Sequence, residues 1–282
     1  TDICPVGALT TADFRFGARP WEMDCKASIC TQCPVGCNIT YNTRREAKSG
    51  GKMVIKRVMP RQNEEVNEIW ICDKGRFTYH YAESPERLTT PMIRRDGELV
   101  KAGWEEAVEF AAQKVKAAGS KLAVIASGRL SNEDLYTLKK FASAAGGKSI
   151  LHTTIGGGDW VSRAGMTPGS DLGKLESGSV VLVFASDLHE EAPIWWLRVK
   201  QAAERGVTLI VANGRKTQLD KFASHTLRYT YGEEAQALKE IVSGKGEIAR
   251  AVKEARDLVI FYGSDGMGLA QSAYSAETLA NL

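Results

Sequence analysis

From residue 121 onward, short unbroken apolar runs alternate with longer stretches whose apolar residues fall three or four apart. The runs 122–126, 149–153, 180–185, 207–212, 226–229 and 258–262 read as strands. The stretches 132–145, 192–205, 233–243, 246–255 and 268–279 read as helices. Ser131 is the expected N-cap of the first helix, and Pro193 suits the first turn of the second. Strands without polar alternation are buried on both faces, so the pattern predicts an α/β fold, a parallel sheet with helices on both faces.

The first 120 residues follow a different rhythm. Segments 92–95 and 98–101 flank Asp96-Gly97, a hairpin signal, and 104–118 reads as a helix with Val108, Ala111, Ala112 and Val115 on one face. Gly119 stops it. Segments 39–43 and 53–58 read as short strands joined by the turn Lys48-Ser49-Gly50-Gly51. A third apolar piece, Ile69-Trp70-Ile71, precedes Cys72. The expectation is a small antiparallel layer ahead of the α/β region.

That layer carries the candidate chemistry. Cys30, Cys33, Cys37 and Cys72 have the spacing C-x2-C-x3-C-x34-C. Four thiolates in a three-plus-one layout suit a [4Fe–4S] cluster; a structural zinc site, usually two C-x2-4-C knuckles, is the alternative. Pro34 and Gly36 suit a tight loop whose backbone N–H groups point at sulfur. Cys4-Pro5 looks like the end of a ferredoxin-type run, which makes Cys4 a candidate ligand of a cluster whose other ligands lie upstream. Cys25 is expected to be a free, partly buried thiol. Lys74, two residues past Cys72, is a candidate cation beside the cluster.

Other features narrow the field. A net charge of +3 with scattered basic residues argues against nucleic acid. No apolar run reaches the roughly 18 residues of a membrane span. Six cysteines, four of them clustered, fit a reduced metal-binding protein better than a disulfide scaffold. The loops Gly156-Gly157-Gly158-Asp159 and Ala212-Asn213-Gly214-Arg215 follow strands, yet neither completes a phosphate-binding motif. His80, His152, His189 and His225 fit no known catalytic order, and no catalytic residue is expected.

The segment from Cys30 to Cys72-Asp73-Lys74-Gly75-Arg76 resembles the iron–sulfur region of the molybdopterin oxidoreductase superfamily. The resemblance continues through Pro85-Glu86-Arg87-Leu88-Thr89-Thr90-Pro91, Trp104-Glu105-Glu106-Ala107 and Ile210 to Arg215. With Cys4-Pro5-Val6-Gly7-Ala8-Leu9 in front, two branches fit: the large iron–sulfur (G) subunit of bacterial respiratory complex I, and formate dehydrogenases fused to a ferredoxin module. Phe14-Arg15-Phe16, Arg19-Pro20-Trp21-Glu22 and the stretch from Ala185 to Pro193 resemble the complex I version. Aligning Asp159 and Arg163 with the formate dehydrogenase loop puts Gly165 at the molybdenum-ligand position, and the family's Asp-Pro-Arg nucleotide loop reads Asn213-Gly214-Arg215.

The resemblance therefore implies an NADH-quinone oxidoreductase subunit with an extra, largely structural [4Fe–4S] cluster and no molybdopterin guanine dinucleotide. Its partners would be other peripheral-arm subunits, with no membrane span of its own, on the cytoplasmic side of the inner membrane. A formate dehydrogenase-like catalytic subunit and a non-redox zinc scaffold are the alternatives. The expected division is 1–23, the end of a ferredoxin-like module and linker; 24–82, the [4Fe–4S] domain; 83–120, a connecting hairpin and helix; and 121–282, an incomplete, degenerate molybdopterin-type α/β domain. The chain is expected to be a central fragment of its family's protein.

Overall fold

The computed structural model describes Cys4, residues 6–165 and residues 171–282. Pro5, of the Cys4-Pro5 pair, lies outside them. The chain divides into two compact units, each built from several segments. One comprises Thr1–Glu22, Thr43–Arg57 and Phe77–Thr153; the other comprises Met23–Asn42, Val58–Arg76 and Thr154–Leu282.

The second unit contains a four-stranded sheet of β8 (Val180–Phe184), β9 (Thr208–Ala212), β10 (His225–Leu227) and β11 (Leu258–Tyr262). Its order is β10-β9-β8-β11, and every pairing is parallel. All of Val180-Val-Leu-Val-Phe184 is buried, as a run without polar alternation requires. The two faces separate by register. Val180, Leu182, Phe184 and Ile210 pack with α7 (Glu234–Val242), α8 (Gly246–Lys253) and α9 (Leu269–Ala280) through Leu238, Ile241, Val252 and Leu279. On the alternate face, Phe261 meets Trp195 of α6 (Pro193–Glu204), with ring centroids 5.2 Å apart. Helices thus cover both faces, and Pro193 opens α6 as the sequence predicts.

This strand order has a functional consequence. The chain steps from β8 to β9 to β10, then returns to the other side of β8 for β11. The reversal between β8 and β11 is the point where open α/β sheets form a crevice at their strand carboxyl ends.

In the first unit, β4 (Met92–Arg95) and β5 (Glu98–Lys101) form the expected hairpin, with Asp96 and Gly97 at φ of 50° and 90°. Helix α2 (Trp104–Ala118) has its expected bounds, yet none of its residues is buried. Ser131 caps α3 (Asn132–Ala144) by accepting the Asp134 N–H. Strands β6 (Ala123–Ser127) and β7 (Lys148–His152) pair in parallel as a separate two-stranded sheet. The expectation of buried strands fails here: Ile125 is 70% exposed and every β7 residue is exposed.

A three-stranded sheet orders β1 (Asp24–Ile29), β2 (Asn38–Glu46) and β3 (Lys52–Pro60). The β2–β3 turn carries Gly50 and Gly51 at φ of 66° and 77°, as the sequence signal requires. The third strand is β1, not the piece Ile69-Trp70-Ile71. Ile69 and Trp70 are exposed, and their stretch belongs to a tight irregular loop bridged at Asn63 and Glu68.

Candidate metal centre

The four cysteines sit on two loops of the second unit. Cys30, Cys33 and Cys37 lie on the connection from β1 to β2, which closes on itself when the Cys30 N–H donates to the Cys37 carbonyl at 2.8 Å. Gly36 takes a φ of +64° in this turn, where a β-carbon would be strained. Backbone N–H groups do point at sulfur: Gln32 at Cys30 and Val35 at Cys33. Cys30 and Cys37 are buried; Cys33 and Cys72 are half-buried.

The second loop delivers Cys72 through one residue that the sequence did not single out. Asn67 is fully buried. Its side-chain oxygen accepts the Asn38 N–H at 2.9 Å, and its amide donates to the carbonyls of Arg61, Glu68 and Trp70. One side chain thus ties the start of β2 to the loop that carries the fourth thiol. An asparagine between ligands is no motif, so only its burial reveals the role. Replacing Asn67 with alanine strands these backbone groups and is expected to cost about 1–3 kcal/mol. Chemical denaturation should show that loss, with a parallel drop in metal retained after desalting.

Cys72 leads directly into α1 (Asp73–Phe77). Gly75 of that helix lies against the first loop: a β-carbon there would stand 3.3 Å from the Cys30 Sγ. Burial pushes the Cys30 and Cys33 thiols up, each helped by the Cys72 thiol. Burial, then Cys33, Cys30 and Cys72, push Cys37 up to about 12. The Cys30, Cys33 and Cys37 thiols thus all feel the charge of Cys72. Yet among the described residues no three Cys, His, Asp or Glu side chains gather closely enough to hold a single metal ion. Lys74 favours the Cys33 thiolate and donates from Nζ to the Glu190 carbonyl at 2.9 Å.

The remaining candidates are more dispersed. Cys25 is exposed, where partial burial was expected, because both faces of β1 are mostly uncovered; the Asn42 amide donates to its sulfur at 3.1 Å. The Cys4 thiol is pulled down by the backbone N–H groups of Leu9 and Ala8, and its carbonyl accepts the Gly7 N–H. His80, His189 and His225 face Asp13, Glu190 and Glu247 respectively.

The two glycine-bearing loops have distinct uses. Gly156 and Gly157 let α4 (Gly158–Ala164) approach α9, since a β-carbon at Gly156 would fall 2.3 Å from the Leu269 carbonyl oxygen. The other loop reaches across the switch point. Arg215 reaches Asp187 after β8 and Asp265 after β11, both at 2.8 Å. Asn213 is fully buried and accepts the Arg215 N–H. The Tyr231 ring lies against Gly214 and Gly266, where β-carbons would fall 2.7 and 2.2 Å from it.

Comparison with known proteins adds two family matches. Residues 87–282 match the molybdopterin oxidoreductase family, and residues 27–80 match the NADH-ubiquinone oxidoreductase NDSU1/NuoG-like 4Fe-4S domain. The NADH-quinone oxidoreductase G subunit of Streptomyces coelicolor is 34% identical over 268 residues, covering 86% of this chain and 31% of that protein. The G subunit of the Rickettsia felis NADH-quinone oxidoreductase is 30% identical, covering 99% and 40%. NADH-quinone oxidoreductase subunit 3 of Thermus thermophilus is 38% identical over 202 residues, covering 71% and 24%. The chain thus spans about a third of the length of these curated relatives. Acetylene hydratase from Pelobacter acetylenicus shares the fold, with a TM-score of 0.58 at 15% identity, over 91% of this chain and 42% of that one.

Proposed function

The chain belongs to the molybdopterin oxidoreductase family, and from that premise we propose that it serves in the large iron–sulfur subunit of an NADH-quinone oxidoreductase. The observation that carries this reading is the four-thiol site, formed by segments that match an NADH-ubiquinone oxidoreductase 4Fe-4S domain. Cys30, Cys33, Cys37 and Cys72 would hold a [4Fe–4S] cluster. When bound, the cluster supplies one-electron redox chemistry. The chain's own residues bury the sulfurs, aim backbone N–H groups at them, and fix the Cys72 loop through Asn67.

The cysteine layout favours a cluster over zinc. Structural zinc usually takes two C-x2-4-C knuckles, whereas here three cysteines lie on one loop and the fourth on another, the three-plus-one pattern that suits a cubane.

The same unit disfavours molybdenum chemistry. Gly165, at the position of the family's metal ligand, has no side chain to coordinate with. At the carboxyl ends of β8 and β11, Arg215 pairs with Asp187 and Asp265, and the acid of the family's nucleotide loop is replaced by Asn213. The cluster therefore has no molybdenum centre to feed and is largely structural in this reading, whereas Cys4 is the residue nearest in role to the working electron path. The catalytic step lies in the wider assembly, with peripheral-arm subunits as partners on the cytoplasmic side of the inner membrane. Among the described residues no helix is long and apolar enough to cross a membrane.

Purification of the tagged full-length protein from detergent-solubilised membranes tests the assignment. NADH-quinone reductase activity should co-purify with it. Formate-dependent dye reduction that tracks molybdenum content would instead make it a formate dehydrogenase-like catalytic subunit.

A further inference from the structure

We propose that the short helix α5 (Leu188–Glu191) pins the Lys74 ammonium beside the four-thiol site and so sets the reduction potential of the cluster held there. The inference rests on the [4Fe–4S] reading of that site and adds a determinant from outside the cysteine loops.

Lys74 and Glu190 are 116 residues apart in sequence, yet the Lys74 Nζ donates to the Glu190 backbone carbonyl at 2.9 Å. A lysine on a four-carbon stem ordinarily samples many rotamers, and its charge is then screened by water. A hydrogen bond to a carbonyl that is itself held by its neighbours restricts that freedom. The acceptor here is well anchored. The Glu191 carboxylate accepts from the Ser186 hydroxyl at 2.9 Å and from the Asp187 N–H at 3.1 Å. The Asp187 side chain accepts the His189 N–H, and Leu188 and Ala192 are buried on either side. Asp187 also pairs with Arg215, so the start of α5 is tied to the loop after β9. At the other end of the tether, the contact of Gly75 with the Cys30 sulfur holds α1 against the ligand loop.

The physical consequence is electrostatic. One-electron reduction adds a negative charge to the cluster. A cation held nearby stabilises the reduced form and raises the potential. The same cation loses much of that influence once it swings into solvent. Helix α5 thus acts through Lys74 as a positioning element, and the crevice loops bear on the cluster without any bound cofactor between them.

A double-variant experiment on the anaerobically purified, cluster-loaded full-length protein tests this. Potentials are read by redox titration under electron paramagnetic resonance, with iron content and thermal unfolding confirming that each variant is folded and loaded. Lys74→Met should lower the midpoint potential by about 59 mV, a tenfold change in the reduced-to-oxidised ratio for a one-electron couple. Lys74→Arg should keep most of the wild-type value. Glu191→Ala leaves Lys74 in place but removes two anchors of α5, and should lower the potential in the same direction by less. Combining Lys74→Met with Glu191→Ala should add nothing to Lys74→Met alone. An unchanged potential in loaded Lys74→Met overturns the inference. So does a Glu191→Ala shift that persists at full size in the Lys74→Met background. Absence of iron and sulfide from the unsubstituted protein overturns the cluster reading and this inference with it, a failure distinct from the other two.

Discussion

Replacing Cys37 with alanine should empty the four-thiol site and loosen the loops around it. Cys37 is among the most buried of the four ligands, and its thiol is pushed up to about 12 first by burial and then by its three sulfur neighbours. In the metal-free state such a thiol stays protonated at neutral pH, and it carries its charge only when metal neutralises it. Removing one ligand leaves three thiolates that cannot close the coordination shell. Iron retained after anaerobic desalting should fall roughly tenfold or more. Stability should fall with it, because the loops between β1 and β2 and between β3 and α1 have little regular structure of their own and draw their order from what they bind. The Cys30–Cys37 backbone hydrogen bond survives the substitution, so a large loss would report the metal rather than the turn. Cys25→Ala is the control: that exposed thiol should leave iron content unchanged.

The second large effect is a core substitution. Leu182 is the central residue of β8, completely buried, paired with Ile210 on one side and Ile260 on the other. It packs in the same cluster as Leu238, Ile241 and Leu279, so the surrounding helices cannot collapse onto a void without breaking sheet register. Leu182→Ala should cost about 2–5 kcal/mol, read as a lower midpoint in chemical denaturation. Ile125→Ala offers the contrast. That side chain is 70% exposed in the two-stranded sheet of the other unit, and its truncation should cost less than about 1 kcal/mol. Similar losses at the two positions would contradict the placement of the core.

What the sequence made legible follows from where information was local. The runs 180–185, 207–212 and 258–262 are apolar without alternation, and each became a strand within a residue of its expected bounds. Asp96-Gly97 and Ser131 carry their own turn and cap chemistry, so the hairpin and the start of α3 were readable too. Strand β1 was not. Asp24-Cys25-Lys26-Ala27-Ser28-Ile29 does alternate polar and apolar positions, but its apolar stripe is only Cys25, Ala27 and Ile29, and the strand is mostly exposed where it pairs with β2. The opposite error fell on Ile69-Trp70-Ile71, where apolar composition suggested a strand but the Asn67 hydrogen bonds impose an irregular loop. Helix α5 has four residues, too few for any periodicity to appear.

The candidate site divides in the same way. The cysteine spacing was visible because ligand chemistry fixes it. Asn67, the Lys74–Glu190 tether and the pairing of Arg215 with Asp187 and Asp265 depend on residues that meet only after folding. The triglycine at 156–158 shows why a motif needs its surroundings. It resembles a ligand loop in one dimension and proves to be the clearance for α9 in three.

The measurement that bears most directly on the account is the metal and sulfide content of the anaerobically purified protein, read together with its low-temperature electron paramagnetic resonance after reduction. For this chain the account predicts iron and acid-labile sulfide in equal amounts, about four of each for the Cys30/Cys33/Cys37/Cys72 site, a paramagnetic reduced cluster, and no molybdenum. Stoichiometric zinc without sulfide, or molybdenum bound alongside the iron, would contradict it.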